Sequence, residues 1–352
     1  MTATPGRGLP EILRGAVPGV ASAAVAVIAV DGRPVATAAA GETARFADAS
    51  EALLPDRPPV TPDSVFDLAS ITKLFTTVVL LSLAEDGRLG LDEPVATWLP
   101  RHYGHRPEIA LRHLLTHTSG LPPGRRVGEE PSPSRWDVIL STPAQGPLGT
   151  HTYSDVGMIT AGRVAEIAGG ASLDVLVRER ITAPLGLTDT AYRPGPAVLH
   201  RVVATEHKPE RARPGCVRGE VHDETAYALG GVAGHAGLFS TAGDLLRFGE
   251  MLRAGGDGVL STAMLSEMTR DHGVPGAAFR QGLGVRIGDP AIVGPLADAL
   301  GHSGFTGTSL VVDPTRRLTV VLLTNNVHPL RGRPGIRDLR TAVAAEALRL
   351  SG

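Results

Sequence analysis

Cysteine is almost missing from this 352-residue chain: Cys216 stands alone. One thiol closes no intramolecular disulfide and builds no cysteine-based zinc site. Its place after Pro214-Gly215 reads as a loop thiol rather than a nucleophile. An excess of one charge sign is missing too. Lys+Arg 34 nearly balance Asp+Glu 36, for a formal net charge of -2, and the arginines form no stripe. That excludes the basic footprint of a nucleic-acid partner. No apolar run reaches the roughly 18 residues that span a membrane. Hydrophobic content of 42% and charged content of 20% fit a globular enzyme with a substantial core. The length suggests two domains, or one with an insertion.

The N-terminus imitates a secretory leader. Arg7 and Arg14 precede an apolar run over residues 21–30, and small residues follow at 38–40. Pro18-Gly19 interrupts that pattern, and Asp31-Gly32 follows the run directly. Asp-Gly between two apolar stretches signals a hairpin, so residues 22–30 and 34–39 are expected to pair as strands. On this reading the chain is expected to be cytoplasmic.

Residues 41–64 are polar and proline-rich and predict a loop. Helical patterns follow at 109–117, at 156–168 with Gly169-Gly170 as the stop, and at 172–181. Residues 122–134, rich in Pro, Gly and charge, predict an exposed loop. Beyond residue 190 the character changes. A strand is expected to end at Ser240. A helix capped by Ser240 or Thr241 then carries Leu245, Leu246, Phe248 and Leu252 on its apolar face. Residues 308–312 and 318–324 predict a hairpin, and 337–350 an amphipathic helix. Strands, then helices, then strands and a helix describe a sheet built from both ends of the chain, with a mainly helical insertion.

The chemistry starts at Ser70-Ile71-Thr72-Lys73. Leu74, Val78 and Leu81 recur at helical spacing behind it, so Ser70 is expected near the N-terminus of a buried helix, close to free N–H groups. Positions i and i+3 share a face, which brings Lys73 to the Ser70 hydroxyl. Burial disfavours a charged lysine, and a neutral amine could accept the serine proton. Taken alone the tetrad is a common pattern. Tyr153-Ser154-Asp155 precedes the helix at 156; beside cations such a tyrosine can carry protons, and otherwise it is a half-buried aromatic with Asp155 as an N-cap. His302-Ser303-Gly304-Phe305 lies just before a strand, where the Phe305 N–H could join the Ser70 N–H as an oxyanion hole. Read locally, it is a glycine-rich turn.

The three segments in this order resemble the signature of the penicillin-recognising serine enzymes, in the version with a tyrosine second motif found in class C β-lactamases and esterases. LRHLLTHTSGLP (111–122), VHDETAYALGGVAGHAGLFSTAGDL (221–245) and GHSGFTGTSLVVDP (301–314) resemble phrases of the same family. The likeness runs from about residue 16 to 350. It implies an α/β (α+β) fold of the β-lactamase/transpeptidase type. An antiparallel sheet flanked by helices would be formed by 1–69 and 190–352, with an inserted mainly helical domain at 70–189 and the site at their interface. Ser70 would be acylated, with Lys73 and Tyr153 sharing acid and base work. Asp155, His302, Ser303, Gly304 and Phe305 would contact the substrate. No cofactor and no metal are implied.

Two departures bear on the substrate. Relatives often carry Asn where Asp155 stands, and Lys where His302 stands. A neutral histidine and an added carboxylate disfavour a substrate carboxylate, and so favour ester or amide substrates lacking one. Asp155 could also hold Lys73 protonated and move the base role to Tyr153. His113 and His117, at i and i+4, lack the adjacent Glu of a zinc-protease motif and are expected to be packed or exposed helix residues. His222-Asp223-Glu224 and His235 are expected along the cleft. The expected activity is hydrolysis of an ester or amide in a small molecule or peptide. The alternative is transfer of the same acyl group to an amine or alcohol, and a non-catalytic binding or sensor module ranks behind both. Nothing in the sequence sets an oligomeric state.

Overall fold

Asp31 and Gly32 take positive φ, 50° and 73°, and close the hairpin that the Asp-Gly pair predicts. The computed structural model describes residues 8–128, 131–213 and 215–352. Arg7 of the leader-like stretch, part of the 122–134 loop and Pro214 beside Cys216 lie outside the described residues. The strands are β1 (Ala23–Val30), β2 (Arg33–Gly41), β3 (Phe66–Asp67), β4 (Ala191–Tyr192), β5 (Leu238–Ser240), β6 (Arg280–Gln281), β7 (Arg286–Ile287), β8 (Leu300–Ser303), β9 (Ser309–Asp313) and β10 (Leu318–Thr324).

Seven of them form one antiparallel sheet in the order β2-β1-β10-β9-β8-β7-β6. β1 and β10 lie side by side, with Val27 opposite Val321, so the two ends of the chain build the sheet centre together. Both faces of that centre are covered. Ala23, Val25, Val27 and Ala29 join one apolar core, and Ala24, Ala26 and Ile28 the other. Alternation along a strand sends neighbours to opposite faces, so a strand covered on both faces reads as a continuous apolar run. This is why residues 21–30 imitate a leader. β3, β5 and β4 form a second, three-stranded sheet.

The helix Thr72–Glu85 is buried on all sides from Thr72 to Leu83. It packs in the first core, where its Phe75 ring stacks on Phe248 at 3.8 Å. Phe248 belongs to the helix Ala242–Arg253, whose N-cap Thr241 accepts from the Asp244 N–H. The helix Asp155–Gly169 ends on Gly170 in the left-handed region, as its Gly-Gly stop predicts. The segment at 172–181 is helical over Leu173–Val177 and continues as a π-helical turn at Arg178–Thr182.

Two local expectations are corrected, and one helix is added. The helix expected at 109–117 spans only Leu111–Leu115, and His117 leaves it with φ +57°. The loop expected to run to 134 gives way to a helix at Ser132–Leu140. A helix at Leu9–Ala16 has no counterpart in the sequence reading; its Leu9, Leu13 and Ala16 pack with the C-terminal helix Ile336–Leu350 in the second core. Among the described residues, no helix is long and apolar enough to cross a membrane.

Candidate active site

β3 leads straight into the Ser70 segment. Asp67 closes the strand, and its Oδ1 accepts the Ala69 N–H at 2.8 Å. Ala69 takes φ +47°, a conformation an L side chain adopts at a cost, and the Asp67 bond holds it there. A 3-10 turn over Ala69–Ile71 follows, and the α-helix begins at Thr72. Ser70 thus sits in the tight turn ahead of the helix rather than in its first α turn. The i, i+3 contact expected from the sequence is present, with Lys73 Nζ donating to Ser70 Oγ at 2.8 Å.

Lys73 is 0% exposed. Its ammonium also donates to the His235 carbonyl at 3.1 Å and forms an ion pair with Asp155 Oδ1 at 2.8 Å. The ion pair lacks the alignment of a hydrogen bond. Burial pushes the Lys73 pKa down, but the Asp155 carboxylate and the Tyr153 phenol outweigh it, so the pKa rises above its ordinary value. The neutral amine expected from burial alone is therefore corrected: Lys73 is an ammonium at neutral pH. The other expectation, that Asp155 holds the proton on Lys73, agrees with the geometry.

Asp155 is the first residue of its helix. The N-cap is Ser154, whose Oγ accepts the Gly157 N–H and donates to the Pro122 carbonyl. His117 fixes the approach to this helix. Its carbonyl accepts the Thr152 N–H at 2.8 Å and its Nδ1 accepts the Ser154 N–H at 3.1 Å, so the intervening Tyr153 is held from both sides. An accepting Nδ1 puts the ring proton on Nε2. Burial, then the Lys73 charge, keeps His117 well below the usual histidine pKa, hence neutral. Its ring lies 4.7 Å from that of Tyr153. His113 serves a different purpose, its Nδ1 accepting the Ala110 N–H.

Tyr153 stands between two cations. Lys73 Nζ lies 4.9 Å from its ring centroid and the Arg286 guanidinium carbon 4.8 Å. Arg286 was not singled out by the sequence. It sits on β7 opposite Gly301 of β8, so the sheet places it beside His302. Its Nη1 donates to Asp289 Oδ2 at 3.0 Å, its guanidinium also lies 4.7 Å from the Phe279 ring, and its Nε is buried without a partner. His302 is buried, donates from Nδ1 to the Ser303 carbonyl at 2.9 Å and leaves Nε2 without a partner. Burial, then the Arg286 charge, keeps it well below the usual histidine pKa, so it is neutral as expected.

Ser303 ends β8, and Gly304 opens the turn to β9. A Cβ on Gly304 would meet Leu68 O at 2.4 Å and Thr308 Oγ1 at 2.1 Å, so only glycine permits the approach. Two hydroxyls then tie this turn to the segment that leads into Ser70. Thr306 Oγ1 donates to Asp67 O at 2.8 Å, and Thr308 Oγ1 to Leu68 O at 3.1 Å. Among the described residues, neither the Ser70 nor the Phe305 N–H has an acceptor within the chain. The Phe305 side chain is 58% exposed and leans on the His222 ring at 5.7 Å and the Arg331 guanidinium at 5.4 Å. Glu206 holds both supports, through His222 Nε2 at 2.8 Å and Arg331 Nε at 2.7 Å. His235 Nε2 pairs with Asp223 Oδ1 at 2.8 Å, which links that dyad to Lys73 through the His235 carbonyl.

A family model described as Beta-lactamase matches residues 10–345. The chain belongs to the beta-lactamase family. A putative D-alanyl-D-alanine carboxypeptidase of Escherichia coli (strain K12) is 33% identical over 309 residues, 76% of this chain and 70% of the relative. An N-acetylmuramyl-L-alanine amidase of Bacillus subtilis (strain 168) is 31% identical over 343 residues, 87% of this chain and 77% of the relative. Among solved structures, EstCE1, a hydrolase with promiscuous acyltransferase activity, matches with a TM-score of 0.71 at 25% identity, over 94% of this chain and 96% of that one. The fold is of the β-lactamase/transpeptidase type, and this beta-lactamase family member is a serine hydrolase.

Proposed function

We propose that Ser70 is the acylated nucleophile and that the substrate is an amide or ester whose leaving group carries a carboxylate. The observation that carries the first half is Lys73 Nζ, shared between Ser70 Oγ and Asp155. A charged Lys73 orients the Ser70 hydroxyl by donating to it and cannot take its proton. The proton therefore passes to the Tyr153 oxygen, acting as a phenolate, as Ser70 Oγ bonds to the carbonyl carbon. The negative charge that oxygen carries before the transfer is favoured by the Lys73 and Arg286 cations. The Ser70 and Phe305 N–H groups stabilise the tetrahedral oxyanion. Tyr153 then protonates the departing amine or alcohol as the carbonyl–leaving-group bond breaks. Water repeats the sequence on the acyl-enzyme and releases the acid. Asp155, His302, Ser303, Gly304 and Phe305 line the path of the substrate.

Arg286 carries the second half. His302 and Asp155 by themselves disfavour a substrate carboxylate, but Arg286 adds a permanent cation beside His302. The names of the two curated relatives agree with an amide substrate, and a carboxypeptidase expels an amino acid with a free carboxylate. We also infer that residues 70–189 form the inserted unit and that the site lies at its junction with 1–69 and 190–352. The order of the elements supports this.

The test is covalent labelling. The protein is incubated with a p-nitrophenyl ester, a fluorophosphonate and a penicillin, and adducts are mapped by mass spectrometry. A Ser70 adduct, absent in Ser70→Ala together with turnover, is expected; turnover that survives in Ser70→Ala overturns the mechanism. The likeness to EstCE1 favours one second reading, in which an amine or alcohol intercepts the acyl-enzyme. Product analysis with and without an added acceptor separates the two.

A further inference from the structure

A cavity of about 1190 Å³ opens beside the catalytic group. Asp155, the partner of Lys73, forms part of its wall, so one end is linked to Ser70 through the Lys73 ammonium. The loop at 124–128 and the segments at 210–211 and 223–228 form other parts, and Arg135 and Arg331 complete it; Arg135 is held, its Nη1 donating to the Ala228 carbonyl at 2.7 Å. Its charges do not cancel. Asp155 is paired with Lys73, Asp223 with His235, and Glu224 with both Lys208 and Arg331. Arg331 is further neutralised by Glu206. Among the described residues, Glu210 is the one acid of the wall with neither a cation nor a histidine as partner, and it is exposed.

Three arginines of the wall have no carboxylate partner among the described residues: Arg125, Arg126 and Arg211. Arg125 and Arg126 are exposed. Arg211 is not. It is 5% exposed, lies 3.5 Å from the Tyr227 ring centroid, and donates from Nη2 to the His222 carbonyl at 3.0 Å. Its Nη1 is buried with no partner among the described residues. A buried guanidinium is ordinarily matched by a carboxylate, because removing an unpaired charge from water is costly. Here a built, desolvated cation and two exposed ones share one wall with a single unpaired acid.

We infer that this arm of the cleft is a subsite for a carboxylate on the acyl portion of the substrate. The inference rests on the reading above, in which Arg286 takes the carboxylate of the leaving group. With the scissile carbonyl at Ser70, the rest of the substrate enters the cavity. A fork of N–H donors suits a carboxylate, and the exposed arginines steer it in. The substrate is then anionic on both sides of the bond that breaks.

The experiment compares two substrates that share one leaving group and differ only at the end of the acyl chain, a carboxylate in one and its carboxamide in the other. A preference of about tenfold or more in kcat/KM for the carboxylate is expected. It should weaken as salt rises. In the double variant Arg125→Gln/Arg126→Gln the ratio should collapse toward one, with folding checked by Tm. Binding is read separately in Ser70→Ala, by calorimetry with the free acyl carboxylate product and its amide, so the subsite is tested even if Ser70 is never acylated. A ratio near one for both turnover and binding in the native cleft overturns the inference. So does a preference that the double variant leaves intact. Loss of acylation with the binding preference retained would instead count against the Ser70 mechanism alone.

Discussion

Lys73 Nζ lies 2.8 Å from Asp155 Oδ1, inside the shell of a side chain that is otherwise fully buried. The lysine that the motif presents as a base is thereby made a cation.

Asp155→Asn removes the anion and leaves burial to act on Lys73. The sign is then clear. The native Lys73 pKa lies above its ordinary 10.5, so the ammonium persists through neutral pH and is lost only in strong alkali. Without the carboxylate its pKa falls. The alkaline limb of kcat/KM against pH, measured with a neutral ester, should move acidward by more than about one pH unit. A tenfold gain in rate at pH 7 would instead make neutral Lys73 the base.

Arg286→Gln should lower kcat/KM about 10- to 100-fold for a substrate with a leaving-group carboxylate, equivalent to ~1.5–3 kcal/mol of charge-assisted bonding. The methyl ester of the same substrate should change far less. Arg286→Lys should recover only part of the loss, because a point charge lacks the guanidinium fork. Equal losses on acid and ester would remove the carboxylate from the proposal.

Thr306→Val/Thr308→Val cuts both ties between the Phe305 turn and the nucleophile segment. The Asp67 and Leu68 carbonyls would lose the hydroxyls that now bond them. About 1–3 kcal/mol of stability should go at the Asp67 carbonyl, and less at the Leu68 carbonyl, which also accepts the Ile71 N–H, read by urea unfolding. Because the Ser70 and Phe305 N–H groups, the proposed oxyanion donors, are no longer held together, kcat should fall about tenfold or more while KM changes little. A native kcat in the double variant would show that the ties do not set that geometry.

His328 predicts the acid behaviour of the fold. Its Nδ1–H donates to the Thr205 carbonyl and its Nε2 accepts the Phe46 N–H. Burial lowers its pKa from 6.5 to about 4. Between those values the unfolded chain binds the proton that the folded chain refuses, so stability is full above pH 6.5 and declines as pH falls through 4. The share of this one ring is about 3 kcal/mol. His328→Gln should flatten the decline by that amount in denaturant unfolding measured from pH 7 to 4. An unchanged slope would assign the loss to His117 and His302, which shift in the same direction.

Much of the fold was legible because its signals are local. Asp31-Gly32 makes its hairpin through the φ its own residues tolerate, and Gly169-Gly170 stops its helix for the same reason. The Ser70–Lys73 contact follows from one helical turn. Signals failed where the deciding partner is far along the chain. His117 lies on a helical pattern, yet leaves the helix because its carbonyl and Nδ1 are committed to residues 152 and 154. The helix at Leu9–Ala16 is stabilised by the core it shares with Ile336–Leu350, which no local pattern announces.

The sequence by itself determined which groups are available: a serine and lysine one turn apart, a tyrosine and aspartate at a helix entrance, and a glycine turn that can approach Leu68. Only the tertiary structure decided their charges and company. Lys73 is an ammonium because Asp155 is folded against it, and His302 is neutral because it is buried beside Arg286. Arg286 enters the site because β7 pairs with β8. Spacing along a chain sets local geometry, whereas a protonation state depends on every charge within a few ångströms, and those neighbours exist only after folding.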